Sequence, residues 1–254
     1  MTDLVGLPAL QRVEQIMGLP IVLDVRDAGA DDAMVEPAFD WLREVDQRFS
    51  TYKDDSEISR LNRHELTLER AHRDVRTVLA RCDALRTWTR GYFDARYAGS
   101  EAVDPSGLVK GWAVDRAAAL LDRAGLRNYA LNAGGDIRLR GGALPDAYWS
   151  VGIEHPLLPL EIAAVLEVSD IAVATSGAYA RGEHVLDPHS GTPPSGVLSV
   201  TIVGPELATA DAFATAAFAM GTAGPEWTRG LEGYEAMTIL ADGRVLSTAG
   251  FPSS

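Results

Sequence analysis

The pattern of hydrophobic and polar positions changes character about halfway along the chain. In the first half, apolar residues recur every three or four positions, which is the spacing of one helical face. A strand at 21–25 precedes them. Helices are predicted over 38–49, 75–88 and about 110–124, with Pro37 in the first turn of the first helix and Gly125 ending the third.

The second half has the period of short strands. Strands are predicted at 129–131, 137–139, 149–154, 162–168, 171–174 and 198–203, followed by an alanine-rich helix over about 208–220. Asp242-Gly243 between apolar segments predicts a closing hairpin. Helices in one half and strands in the other indicate an α+β fold rather than repeated βαβ units.

Length and charge narrow the class of protein. The 254 residues suit one domain over 1–254, possibly built from two interlocked subdomains. The net charge of -13 and the lack of a basic stripe argue against a nucleic-acid partner. Cys82 is the single cysteine, so an internal disulfide and a cysteine zinc site are excluded. Its place on an apolar helical stripe predicts a core thiol.

Targeting features are not apparent in the sequence. Residues 1–19 contain charged side chains and no sustained apolar run, which argues against a signal peptide or lipid anchor. No stretch approaches the roughly 18 apolar residues that a transmembrane helix needs. A cytoplasmic protein that is not itself inserted in a membrane is therefore expected.

Asp211 and Thr215 are a candidate metal site. On a helix these positions are four apart, so their oxygens share one face. A carboxylate and a hydroxyl are hard ligands that suit Mg²⁺. The alternative interpretation is an aspartate in a first helical turn, stabilised by the helix dipole, with the threonine bonded back to a carbonyl.

The segment from Asp104 to Lys110 is a candidate phosphate site. Gly107 lets a backbone approach a ligand closely, and Lys110 with helix N-terminal amides favours phosphate. An ordinary turn and cap with a solvated lysine explains the same residues equally well.

Two further segments carry candidate polar contacts. Asn132 and Asp136 flank the paired glycines Gly134 and Gly135, where either a ligand or a tight structural turn is indicated. In the polar segment 50–62, Tyr52 offers an aromatic face among several hydroxyls, although residues 55–57 are also a good helix cap.

A fifth segment contains a histidine and possible partners. His184 is a candidate general base and Asp187 is close enough in sequence to orient it, although a lone histidine is more often structural or solvated. Ser176 lacks the flanking glycines of a hydrolase nucleophile, so serine catalysis is set aside.

Taken together, the order of these segments resembles the ApbE family of FAD:protein FMN transferases, over about residues 17–221. The landmarks are Ser50-Thr51-Tyr52 with Ser56, Glu57 and Asn62; Lys110-Gly111-Trp112-Ala113 with Asp115; Asn132-Ala133-Gly134-Gly135-Asp136; Thr175-Ser176-Gly177 with Tyr179 and Arg181; His184 with Asp187-Pro188 and Gly191; and Ala210-Asp211-Ala212 with Thr215. Leu19, where the family often has threonine, and His189-Ser190-Gly191, in place of a Thr-Gly ending, depart from the pattern.

The resemblance implies an α+β fold with FAD in a cleft between helical and strand parts. It implies Mg²⁺ on Asp211, Thr215 and the Gly107 carbonyl, and His184 as the base, with Asp187 beside it. It also implies FAD contacts, which we assign to Ser50, Thr51, Tyr52, Glu57, Asn62, Asp104, Lys110, Asn132, Gly134, Gly135, Asp136, Thr175, Ser176 and Gly177.

The expected reaction transfers FMN from FAD to a threonine of an acceptor flavoprotein, with release of AMP. Two alternatives remain open at this point. The same site with water as nucleophile would be an FAD pyrophosphatase, and a protein without turnover would be a non-catalytic flavin binder, which the joint presence of His184, Asp211 and Thr215 argues against.

Overall fold

An antiparallel sheet forms the centre of the protein. The computed structural model describes residues 9–96, 101–144, 147–158, 160–177 and 185–252. Within them the strands are β1 Leu10–Ile16, β2 Leu19–Val25, β3 Tyr129–Ala133, β4 Asp136–Arg140, β5 Trp149–Glu154, β6 Ile162–Val168, β7 Ala172–Gly177, β8 Val197–Gly204, β9 Glu235–Leu240 and β10 Val245–Ser247. Eight of them form one sheet in the order β1-β2-β3-β4-β7-β8-β9-β10, while β5 and β6 form a separate two-stranded ribbon.

The helices are amphipathic or almost fully buried. They are α1 Asp32–Phe49, α2 Glu57–Asn62, α3 Arg73–Trp88, α4 Ser106–Arg123, α5 Leu207–Ala219 and α6 Gly224–Thr228, with 3-10 turns at Leu68–Arg70 and Gly221–Ala223. In α5 every residue except Thr215 is buried. A helix that is apolar on all sides can be stable only inside the protein, so α5 lies between the sheet and the other helices.

Two apolar cores lie on opposite faces of the large sheet. The larger one joins the helices to the sheet through residues such as Phe39, Leu108 and Phe213. The smaller one packs the β5–β6 ribbon on the other face, with Trp149 and Leu166 against strand residues. The result is a layer of helices, a sheet and a ribbon, which confirms the α+β prediction.

Several boundaries differ from the sequence prediction. The first helix starts at Asp32, capped by the side chain of Asp31, so Pro37 lies inside the helix rather than in its first turn. The aspartate pair is the better start signal, because a carboxylate can accept an N–H that the first turn leaves unpaired. Strand β1 was not predicted, and the segment 50–62 includes the short helix α2.

The single cysteine is a core residue as predicted. Cys82 is buried, and burial raises the pKa of its thiol to about 12. A thiol that stays protonated is a poor nucleophile. Across the part of the chain that the structure describes, no helix is both long enough and apolar enough to cross a membrane.

Candidate active site

The candidate site is built on α4 and α5, two helices that run antiparallel and pack closely against each other. Asp115 of α4 bonds to the start of α5, and Gly111 touches the backbone of Ala208. Lys110 faces Asp211 one turn later. Later residues of α4 therefore contact earlier residues of α5. Polar side chains of both helices lie close together where Lys110 faces Asp211.

Gly111 makes this close crossing possible. A Cβ atom at this position would lie 2.7 Å from the Cα atom of Ala208 and 2.7 Å from the carbonyl oxygen of Leu207. Such distances are well inside van der Waals contact, so any side chain would push the helices apart. The glycine therefore sets how near the polar groups of α4 come to those of α5.

An ammonium group lies between two buried carboxylates at the centre of the crossing. Lys110 Nζ forms an ion pair with Asp136 Oδ2 and lies 3.6 Å from Asp211 Oδ2. Asp136 Oδ1 accepts a hydrogen bond from the Thr175 amide at 3.0 Å. The side chains of Asp136 and Asp211 are only 3% and 7% exposed. Two buried carboxylates therefore face one ammonium, and carboxylate oxygens of this kind are ligands suited to a cation.

Hydroxyl and backbone groups complete the neighbourhood of Asp211. Thr215 Oγ1 lies 3.4 Å from Ser176 Oγ, which comes from the end of β7. A Cβ atom on Gly107 would lie 3.9 Å from Thr215 Oγ1, so the first turn of α4 adjoins the same hydroxyl. Thr175 on β7 is hydrogen bonded through its hydroxyl to the buried Thr201 at 2.9 Å. The structure thus brings Gly107, Ser176, Asp211 and Thr215 together.

These oxygens fit a magnesium ion. Asp211 supplies one carboxylate and Thr215 one hydroxyl, and Gly107 adjoins them with its backbone. Among the described residues no group of three or more His, Cys, Asp or Glu side chains could hold a metal. A set of one carboxylate, one hydroxyl and one backbone group is unlike a zinc or iron site. Mg²⁺ typically takes one or two protein carboxylates and fills its remaining coordination positions with phosphate and water oxygens.

The two glycines between β3 and β4 form a tight hairpin turn that local hydrogen bonding stabilises. Gly134 and Gly135 have φ values of 61° and 101°, which a two-residue hairpin of this kind requires. Asn132 Oδ1 accepts the Gly135 amide at 2.9 Å. This turn places Asp136 at the first position of β4, next to Lys110.

The segment 50–62 is a more open part of the candidate site. Tyr52 is 96% exposed, and Thr51 is also exposed. The carbonyl of Ser50 accepts hydrogen bonds from the hydroxyls of Ser56 and Ser59 at 2.5 and 3.3 Å. Ser56 also caps α2, so the cap interpretation of residues 55–57 is confirmed. Tyr52 is consequently held on a short, internally bonded loop with its ring free for contact.

Glu57 and Asn62 contact other parts of the chain. Glu57 Oε2 accepts the amide of His72 at 2.6 Å. The Asn62 side chain donates to the carbonyl of Val103 at 3.0 Å and accepts from its amide at 2.8 Å. This pair of bonds holds the segment that leads into α4. There Asp104 Oδ1 accepts the Ser106 amide at 3.0 Å, which closes the turn before the helix.

Asp187 stabilises its own turn. Its carboxylate accepts bonds from the amide of His189 at 2.9 Å and the hydroxyl of Ser190 at 3.0 Å. The His189 ring in turn contacts the Tyr92 ring at 4.6 Å between centroids and lies 3.1 Å from the carbonyl oxygen of Arg90. His189 is one of the departures from the family pattern, and it fastens this turn to the segment that follows α3.

The proposed base, His184, lies outside the described residues, as do Tyr179 and Arg181. Asp187 as its orienting partner therefore stays a prediction. Gly177, the last residue of β7, is the described residue that precedes this segment, and Val185 follows it.

Sequence reasoning gave no role to two charged contacts near α5. Asp115 accepts the amides of Leu207 and Ala208 at 3.0 and 2.8 Å, and burial raises the pKa of its carboxyl to about 6 although these amides oppose the shift. Arg81 of α3 pairs with Glu206 at the start of the same helix. Burial acts to raise the pKa of Glu206, but hydrogen bonds from Arg81 and Thr209 outweigh it and the pKa is lowered. Gly111 and Asp115 are four positions apart on α4, and this spacing could have indicated that both residues face the same neighbouring helix.

The fold corresponds to that of flavin transferases. The structure superposes on flavin transferase ApbE from Vibrio cholerae with a TM-score of 0.84 and 25% identity, covering 95% of this chain and 97% of that one. The apo form of Pseudomonas stutzeri flavinyl transferase ApbE, at 21% identity, shares the fold with a TM-score of 0.84 and 98% coverage of both chains.

Sequence comparison agrees. A protein of Vibrio cholerae named FAD:protein FMN transferase is 30% identical over 237 residues, 71% of this chain and 71% of that protein. A protein of the same name from Haemophilus influenzae is 27% identical over 243 residues, covering 71% and 70%. The family model of the ApbE family matches residues 17–101 and 98–238. The chain belongs to the ApbE family.

Proposed function

We propose that the protein is a Mg²⁺-dependent FAD:protein FMN transferase that acts as one unit over residues 1–254. The observation that carries the proposal is the convergence of Lys110, Asp136, Asp211 and Thr215 at the crossing of α4 and α5. The relatives from Vibrio cholerae and Haemophilus influenzae are named FAD:protein FMN transferase.

The metal would be held by Asp211, Thr215 and the carbonyl of Gly107. When bound there, Mg²⁺ supplies positive charge that stabilises the negative charge on a reacting pyrophosphate. Lys110 provides a further positive charge at the same place, and Asp136 holds that ammonium by its ion pair. Preorganised charges in a buried site act more strongly than the same charges in water.

FAD would lie between this crossing and the segment 50–62. Tyr52 presents an exposed ring suited to a flavin or adenine face, with Ser50 and Thr51 beside it. Ser176 and Gly177 end β7 next to Thr215 and would contact the phosphates together with Thr175. Asn132, Gly134 and Gly135 form the rigid turn at the end of β3 and would border the ligand there.

The reaction joins the acceptor threonine to FMN. The threonine oxygen attacks the phosphorus on the FMN side of FAD, the pyrophosphate P–O bond breaks and AMP leaves. His184 takes the proton of the attacking hydroxyl, which raises its nucleophilicity. Asp187 stabilises the turn that follows His184. The flavin undergoes no change of oxidation state.

The cytoplasmic location is a prediction from the sequence.

The test is a reconstituted transfer. Purified protein, FAD and Mg²⁺ are incubated with a candidate acceptor flavoprotein domain and with the same domain carrying a Thr→Ala substitution at the expected acceptor position. Mass spectrometry is expected to show one FMN on the first domain and none on the second, with AMP formed in step. AMP and FMN release at the same rate without acceptor would instead identify an FAD pyrophosphatase, and FAD binding without turnover would identify a flavin binder.

A further inference from the structure

Asp115 lies on the face of α4 that packs against α5 and is not one of the candidate metal ligands. Gly107, Gly111 and Asp115 are spaced four residues apart, so they form one stripe along α4. Gly107 adjoins Thr215, Gly111 adjoins Ala208, and Asp115 reaches the start of α5. The stripe therefore contacts α5 at three successive points, from Thr215 back to the start of the helix.

The start of α5 depends on this carboxylate. The first amides of a helix have no partner within the helix, and a residue at the N-cap usually supplies one. Here the N-cap residue Glu206 makes no such side-chain bond. Asp115 instead accepts the amides of Leu207 at 3.0 Å and Ala208 at 2.8 Å, one with each oxygen. The cap of α5 is thus supplied by another helix.

A cap of this kind fixes more than the stability of one helix. Two bonds from one rigid carboxylate to successive amides define both the rotation of α5 about its axis and its position along α4. A slip by one residue would move α5 by about 1.5 Å and rotate it by about 100°. Asp211 would then turn away from Lys110, and Thr215 away from Gly107.

We propose that Asp115 is a positioning residue that sets the register of α5 against α4 and thereby places Asp211 and Thr215 for cation binding. The cation-binding half of this statement rests on the proposed function, whereas the register half does not. Asp115 itself contacts neither the cation nor the reacting atoms in this scheme; it acts through the backbone of Leu207 and Ala208.

The experiment compares Asp115→Ala with Asp31→Ala. Asp31 accepts the Met34 amide at 3.0 Å and caps α1, so its removal deletes a helix cap away from the α4–α5 contact. Mn²⁺ affinity is measured by titration calorimetry in the absence of FAD, on protein shown to be folded by near-UV circular dichroism. Loss of a group that holds metal ligands in place typically weakens metal affinity about 10–100-fold, and because Asp115 would orient Asp211 and Thr215 through the helix backbone, an increase of that size in the Mn²⁺ Kd is expected for Asp115→Ala only.

Hydrogen exchange of residues 207–215 is measured on the same two variants without metal. Loss of protection in this segment is expected in Asp115→Ala and not in Asp31→Ala. Asp115→Asn keeps one acceptor oxygen, so both its Mn²⁺ Kd and its exchange are expected to lie between those of the wild type and Asp115→Ala. If Asp115→Ala does not fold, Asp115→Asn decides by the same two criteria.

The two ideas can fail separately. Wild-type protein that binds no Mn²⁺ refutes the metal assignment, and exchange at 207–215 then decides the register proposal alone. Unchanged exchange in that segment, or an Mn²⁺ Kd that rises equally in Asp31→Ala, overturns the role of Asp115.

Discussion

The α4–α5 crossing and the segment 50–62 contain similar polar residues but are built in opposite ways. At the crossing, Lys110, Asp136 and Asp211 are largely buried and paired with one another. In the segment 50–62, hydroxyls bond to the local backbone and Tyr52 is 96% exposed. One region holds charge in a fixed arrangement, and the other offers an open surface.

The difference teaches how binding and chemistry are divided. Charges that must stabilise a reacting phosphate are effective when they are already fixed, because no reorganisation is then needed. A flavin or adenine ring instead gains contact energy by covering exposed apolar surface, which needs no buried support. Substitutions at the crossing should therefore affect turnover and metal binding, whereas substitutions in the segment 50–62 should affect mainly FAD affinity.

The largest effect is expected from Asp211→Ala. This change removes the single carboxylate of the proposed metal site, so Mg²⁺-dependent AMP release should fall to background while FAD binding remains. Turnover is followed by AMP formation and FAD binding by calorimetry. Asp74→Ala is the matched control: it removes another buried carboxylate, paired with Arg48, far along the chain from the crossing. Full activity in Asp211→Ala would end the metal assignment.

His184→Ala tests the proposed proton transfer, which involves neither the α4–α5 crossing nor the segment 50–62. A positioned base typically contributes about 10²–10⁴-fold, so transfer to the acceptor should fall by that factor with FAD and Mn²⁺ affinities unchanged. Covalent FMN on the acceptor is quantified by mass spectrometry. His155→Ala, which removes a turn-stabilising ring between β5 and β6, should behave as wild type. Wild-type rates in His184→Ala would place the base elsewhere, and loss of FAD binding would indicate a structural role.

Gly111→Ala tests whether the close packing of α4 against α5 is needed for stability and metal binding. The added methyl group would meet the backbone of Ala208, and overpacking of this kind typically costs about 1–3 kcal/mol of unfolding free energy. Weaker Mn²⁺ binding should accompany the loss, because the helices must separate. Gly230→Ala is the control, since the nearest atom to its new Cβ is the carbonyl oxygen of Trp227 at 3.5 Å. Urea unfolding gives both free energies, and equal stability of the two variants would contradict the close crossing.

The smallest effect is expected from Tyr52→Ala. An aromatic contact is worth about 0.5–1.5 kcal/mol, so the KM for FAD should rise roughly two- to thirteenfold with kcat and stability little changed. Tyr52→Phe keeps the ring and should bind FAD normally. Tyr148, which is 63% exposed beside β5, provides a matched control in Tyr148→Ala. A change in kcat without a change in KM would mean that the two regions are not divided as proposed.

The sequence by itself determined the elements and the order of the landmarks. Local period and turn chemistry are properties of neighbouring residues, so α3, α5 and most strands could be predicted near their observed bounds, whereas the start of α1 was missed by six residues. The four-residue spacing of Asp211 and Thr215 likewise sufficed to place two oxygens on one helical face. The buried state of Cys82 followed from its position on an apolar stripe.

Only the tertiary structure decided which landmarks meet and what each one contacts. Lys110, Asp136 and Asp211 are far apart in the chain, and no local pattern shows that one ammonium lies between two carboxylates. The structure shows that Asn62, assigned as an FAD contact, also bonds to Val103, and that Asp115, which had no assigned role, caps α5. Long-range contacts of this kind depend on how whole helices pack, and Gly111 allows the crossing only because Ala208 lies against it.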